Sequence, residues 1–462
     1  MNKKPIEFLQ WDITKLSKKI KNKELSPVEI TTTLLDRIND HNPSINSYIS
    51  ISAEAAITQA KKLESELLNG VYRGPLHGVP IGLKDNVNVN NMRTTCASMY
   101  YEDFVPDEDA TVTAKLKKNG AIIIGKTNMH EFSAGATGDL SHFGPAKNPH
   151  NMKKIAGGSS SGSASAVAAN LAFASIGTDS GGSIRIPSAF CNIVGLKPTF
   201  GLISTYGIKL LTATLEHVGP MTKTVKDNAL LLNTIVGYDK KDPYSINFKK
   251  QDYTRYIGNS IKDLIIGIPN NFFFDLVQED IKISLDETIK DLMDIGVKTK
   301  RVTINTIEDL VVAQQIIITA ESYSMLQKEL RDAPEKINKE VRDFLVRGAN
   351  IQASEYLHAL KIKHRAIDEL NSLFKRIDFL LAPTTPVFPP YIGQRLLDIN
   401  GEEYPTHMLT HLTGVMNTTG FPSISIPGDS INDLPLGIQL VGKPFSEAKI
   451  YQLAYVIEKI HF

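Results

Sequence analysis

The chain has 462 residues, 42% hydrophobic and 22% charged, a composition that excludes a disordered or fibrous architecture. Its 51 basic and 50 acidic residues leave a formal net charge of +1, so no global field holds nucleic acid or an anionic membrane, and a small molecule is the natural partner. Two cysteines, Cys96 and Cys191, exclude a disulfide scaffold and a cysteine metal cluster and point to a reducing compartment, the cytoplasm.

The first stretch, MNKKPIEFLQWDITKLSKK, lacks the apolar core and cleavage site of a signal peptide, and no run of about 18 apolar residues follows anywhere. Residues 1–70 read as a helical region packed on the core. Apolar residues recur at three- and four-residue steps over Pro27–Ile38, with Ser26, Pro27 and Glu29 forming a helix start, and again over Glu54–Leu68. Residues 71–235 turn glycine- and serine-rich around a predicted strand at Ala121–Gly125. Residues 236–400 are Lys/Asp/Glu-rich, with a strand at Leu264–Ile268, helices at Thr306–Leu330 and Glu355–Phe374, and a strand at Phe379–Ala382. Residues 401–462 return to the core sheet through a strand at Leu436–Val441. No repeat period is visible. Helices alternating with buried strands predict an α/β fold in one compact domain with a mostly parallel central sheet.

Two serine-rich segments carry the chemistry. AGGSSSGSASAVAA (156–169) has a bland reading as a flexible linker, but it runs directly into small residues in helical arrangement, which suits close backbone packing at a helix start. The phosphate-loop pattern GxxxxGK[ST] is absent. GTDSGGSIRIP (177–187) looks like the nucleophile segment of trypsin-like proteases; the helical periodicity elsewhere rules out their two β-barrels, so that likeness is coincidence.

Together with HGVPIGLKDNV (77–87), Cys191 and GLKP (195–198), these segments resemble the amidase signature family over well over half the chain. The resemblance implies the amidase signature fold, with a large mixed central β-sheet covered by helices on both faces, and a Ser-cisSer-Lys triad: Ser183 as nucleophile, Ser159 on a cis peptide as relay and Lys84 as base. It also implies that Ser180 contributes backbone instead of attacking, and that Ser133 shapes the acyl pocket. No metal or organic cofactor is expected. Physical chemistry supports the same roles. An amide needs its attacking hydroxyl deprotonated and its leaving amine protonated, and a lysine does both once burial populates its neutral form. Lys84 follows the apolar run VPIGL (79–83), where desolvation is expected. The backbone of Ser180, Gly181, Gly182 and Ser183 suits an oxyanion hole. Asp179 and Arg185 flank this turn and are expected to brace it as a bidentate pair. Ser161 and Asn192 stand where many members of the family carry glycine.

The expected function is hydrolysis of a small-molecule carboxylic amide to carboxylate and ammonia or amine. The alternative is the glutaminase subunit of an aspartyl/glutamyl-tRNA amidotransferase, which FGPAKNP (143–149) and GLKPTFG (195–201) resemble. That alternative brings partner subunits; a homodimer is compatible with the free enzyme. A glutamine substrate needs a cation and an anion in the pocket. The glutaminase subunit so resembled carries an aspartate shortly before the segment NTTGFP (417–422), whereas LTHLTGVM (409–416) contains no acid, which favours a free amidase. Arg347 is a candidate carboxylate ligand or a helix-surface arginine. His130 either faces substrate or is structural. SEAK (446–449) fits the SxxK pattern of penicillin-binding enzymes but reads as a helix start, and Cys191 reads as a small buried hydrophobe.

Overall fold

The computed structural model describes residues 7–431 and 433–461. Eleven strands form its main sheet. In chain order they are β1 (Tyr48–Ile51), β2 (Pro80–Lys84), β3 (Ile122–Thr127), β4 (Ala174–Asp179), β5 (Val194–Lys197) and β6 (His217–Thr222). There follow β7 (Ile265–Pro269), β8 (Lys298–Val302), β9 (Phe379–Pro383), β10 (Ser423–Ile431) and β11 (Leu434–Gly442). Across the sheet the order is β1-β3-β2-β4-β6-β5-β10-β11-β9-β7-β8.

The α/β architecture with a large mixed sheet is as the family resemblance implies, whereas the mostly parallel sheet suggested by the alternation of helices and strands alone is corrected. Parallel pairing joins β3, β2 and β4 on one side and β9, β7 and β8 on the other. Between them, β4 through β6, β5, β10 and β11 to β9 is antiparallel throughout. Connection length is the cause. A parallel neighbour needs a crossover of a dozen or more residues, whereas β10 and β11 are separated by two. Strands β2, β3, β4 and β6 are buried at every residue, the signature of a sheet covered on both faces.

Local signals set the helices. The Ser26 side chain accepts from the N–H groups of Val28 and Glu29, and Pro27 occupies the first turn, as its fixed φ favours. That helix runs on to Ile45, past the expected Ile38, and ends at Asn46 in the left-handed conformation (φ 58°). The other expected helices form at Ala53–Leu68, Ile307–Asp332 and Ala353–Leu373. The segment Tyr48–Ile51 was not expected as a strand; it adds β1 to the edge beside β3, so the first 70 residues feed the sheet itself.

A tertiary cap docks the N-terminal helix Ile13–Lys21. Asp227, on the helix Val225–Ile235, accepts from Ile13 N at 2.7 Å and Thr14 N at 3.2 Å. Ile13, Leu16 and Ile20 then bury in the main core. Asp227→Ala should cost about 1 kcal/mol locally. Hydrogen exchange of Ile13–Lys21 then speeds roughly fivefold, while the central strands keep their protection; unchanged exchange in that helix would remove Asp227 from its anchoring.

Candidate active site

Three loops at strand ends converge. Lys84 is the last residue of β2 and is fully buried. Its Nζ donates to Ser159 Oγ at 2.6 Å and Thr178 Oγ1 at 2.8 Å, and reaches Thr178 O at 3.4 Å. Burial brings its pKa down from the ordinary lysine value to about 8, against the opposing fields of Glu216, Asp179 and Cys96.

Ser159 follows a cis peptide bond from Gly158. Far from forming a linker, the tract is interior: Ala156 through Val167 are buried, and Ser161–Ala168 form a helix. Small residues are required because main chains cross there; a Cβ at Gly162 would strike the backbone of Ser47 and Asn128. Ser161, at a position where glycine is common, leaves its buried Oγ without a partner among the described residues. Asn192, at the other such position, takes the left-handed conformation (φ 57°), which asparagine tolerates best after glycine.

The turn 180–183 links β4 to the short helix Arg185–Phe190. Asp179 organises it. Its carboxylate accepts from Gly182 N at 2.6 Å, Ile184 N at 3.1 Å, Arg185 Nε at 3.0 Å, Arg185 Nη2 at 3.1 Å and Asn417 Nδ2 at 2.8 Å. Burial alone would raise the acid's pKa, but the adjacent guanidinium holds it well below the carboxylate range. Arg185 also donates to Gln439 and Asn417, so the expected brace spans β4, β11 and the helix His411–Thr419.

One of the four expected oxyanion donors is corrected. Gly182 (φ 129°) turns its N–H inward to the Asp179 carboxylate, which needs donors inside the turn. The N–H groups of Gly181 and Ser183 have no protein acceptor among the described residues. Gly181 lines the cavity, where a Cβ would meet Gln314, Ile318 and Thr410 only at ordinary contact distance, 3.7 Å or more. The Ser180 side chain donates to Glu216 Oε2 at 2.7 Å and so faces away from attack.

Ser180, Gly181 and Ser183 form one wall of a cavity of about 270 Å³. Ser133 lines it with a buried hydroxyl that has no partner among the described residues. His130 lines it too; burial lowers its pKa to about 4, so it is neutral, and its Nδ1 accepts from Gly138 N at 3.2 Å. Residues 236–400 supply the opposite wall, including Gln314, Glu340, Phe344, Arg347 and Arg395. Arg347 therefore faces the cavity. Ser446 instead bonds the Lys443 carbonyl and opens the helix Glu447–His461, with Lys449 exposed, and Cys191 is buried with its thiol pushed up by desolvation. Sequence reading missed Thr178, Glu216 and Glu340; a lone acid beside His217 in an apolar stretch was the available signal for Glu216.

This fold and cavity define an enzyme acting on amide carbon–nitrogen bonds. The chain belongs to the Amidase family, whose match covers residues 29–451. It is 35% identical to a glutamyl-tRNA(Gln) amidotransferase subunit of Carboxydothermus hydrogenoformans, with 98% of each chain covered. The crystal structure of the corresponding subunit from Thermotoga maritima aligns at 31% identity and a TM-score of 0.83, covering 99% of this chain and 96% of that one. A solved structure described as a vestigial complex revealing the origins of an s-triazine catabolic enzyme aligns at 27% identity and a TM-score of 0.92, covering 97% and 98%. No helix among the described residues is long and apolar enough to cross a membrane.

Two outcomes are expected. With Lys84 proposed as the base in its unprotonated form, acylation should climb about tenfold per pH unit below a midpoint near pH 8 and level off above it; a flat profile excludes Lys84 as base. Arg185→Met strands a buried carboxylate and should cost about 3–5 kcal/mol in urea unfolding.

Proposed function

We propose that the protein hydrolyses a primary carboxamide and releases ammonia through an acyl-enzyme on Ser183. The Ser183 proton passes to Ser159 Oγ as the Ser159 proton passes to neutral Lys84. The resulting oxyanion takes the free N–H groups of Gly181 and Ser183, preorganised donors that need no rearrangement as charge develops. Lys84 returns the proton by the same route to the departing nitrogen, and water then cleaves the ester.

We further propose that the substrate is a glutamine-type amide and the chain a glutaminase subunit of a tRNA-dependent amidotransferase. Full-length similarity to the amidotransferase subunits supports this over the free amidase that the sequence alone favours. The observation that carries it is the charged far wall. Glutamine needs a cation and an anion, and the cavity holds Arg347 and Glu340. The acid missing from 409–416 thus has a substitute on the helix Lys339–Val346, although Glu340 also pairs with Arg395 at 2.8 Å. One observation favours the free amidase: neutral Thr410 and Thr413 flank Gly181 and Gly182, in the segment where an acid would be required.

Ammonia release from glutamine and from aliphatic and aromatic amides, with and without co-purified smaller subunits, decides between them. Glutamine turnover that rises with such subunits is the expected result; turnover of other amides alone selects the free amidase. Arg347→Ala should raise the KM for glutamine by about tenfold or more while leaving neutral amides unaffected.

A further inference from the structure

Glu216 immediately precedes β6, is 2% exposed, and has no role in the chemistry described above. Its Oε2 accepts from Ser180 Oγ at 2.7 Å and from Leu211 N at 3.2 Å. Its Oε1 is buried without a partner among the described residues. A buried carboxylate with a bare oxygen is costly, and a glutamine would satisfy the same two donors through its amide oxygen. Something must favour the charge.

The charged and titratable groups whose fields couple to Lys84 include Glu216, Asp179, Cys96 and His130. Asp179 already receives five hydrogen bonds and is spent on Arg185. Burial pushes the Cys96 thiol up to about 12 and keeps His130 neutral. Glu216 is the remaining acid: burial raises its pKa, and the field of Lys84, the main charge acting on it, opposes that rise and favours the carboxylate. Thr178 stands between them. Its Oγ1 accepts from Lys84 Nζ at 2.8 Å and from Asn86 Nδ2 at 3.2 Å. In the β4–β6 pair Thr178 lies opposite Val218, each two residues along its own strand from Ser180 and Glu216 respectively, which are joined by their own hydrogen bond.

We infer that Glu216 is a positioning residue, the buried counter-ion that stabilises the lysinium formed at Lys84 as Ser183 attacks, and that it ties this charge through Ser180 to the oxyanion turn. Glu216 exchanges no proton: Ser183 gives its proton to Ser159 as Ser159 gives its own to Lys84, which holds the charge until the departing nitrogen takes a proton back by the same route, and the carboxylate offsets that charge meanwhile. The inference rests on Lys84 as the base and is independent of which amide is the substrate.

The test uses phenylmethanesulfonyl fluoride, which needs no amide pocket. Ser183 Oγ displaces fluoride at sulfur while its proton moves to Lys84, and intact-mass measurement of the full chain follows the adduct against pH. In Glu216→Gln the attraction for the lysinium is lost, so neutral lysine persists to lower pH. The rising limb should move down by about one pH unit, and the plateau should fall about threefold to tenfold, as for a weaker base. Well below the limb the variant should therefore label at least as fast as the unsubstituted protein, which a merely damaged site would not do. Glu216→Asp retains the charge and should restore the limb to its original position.

A limb unmoved by Glu216→Gln overturns the inference, whatever happens to the plateau. If that variant fails to fold, Glu216→Asp decides: slower labelling with the limb in place supports the counter-ion, and a limb displaced downward overturns it. No labelling of Ser183 in the unsubstituted protein would instead remove the triad itself.

Discussion

The site depends on the Asp179 carboxylate. Five donors from the turn, from Arg185 and from Asn417 meet on its two oxygens in a place water does not reach. Turn 180–183 has no regular secondary structure to fix it, so those bonds set which way its amides face. Gly182 is consumed inward, and Gly181 and Ser183 are left facing the cavity. Buried ion pairs add little net stability compared with apolar packing, but they fix geometry when every donor is matched. Here the geometry is that of the turn carrying Ser183, the proposed nucleophile.

A second constraint is electrostatic. Taking Lys84 out of water weakens its hold on a proton, which is what a base at near-neutral pH needs. Ser159 and Thr178 then hold the amine by hydroxyl groups, which accept from it without adding charge. The nearby carboxylates keep the shift moderate, so the lysine sits near 8 and does not become too weak a base to accept a proton.

Packing brings these parts together. Alanine, glycine and serine between 156 and 169 let the helix Ser161–Ala168 lie against β2, β3 and β4, with Thr127 and Ser163 bonded at 2.7 Å. Larger side chains would hold Ser159 away from Lys84. The far wall of the cavity comes from another part of the chain, on helices that pack over the turn from residues 307 to 346. The reacting side and the selecting side are therefore built from separate sequence regions.

Much of this was legible in the sequence. The cap at Ser26, the long helices and the strands at 122–127 and 379–383 follow from short-range patterns, and the meeting of Lys84 with Ser159 follows from a dense motif. Those features depend on neighbours within a few residues, or on a family resemblance that preserves their spacing. The antiparallel middle of the sheet, the edge strand β1, the inward Gly182 amide, and the roles of Thr178, Glu216 and Glu340 were not legible. Each depends on partners brought together from distant parts of the chain. By itself the sequence determined which side chains are available and the local elements that carry them. Tertiary structure alone decided their charge states and directions, because burial and hydrogen-bond matching are properties of the assembled interior.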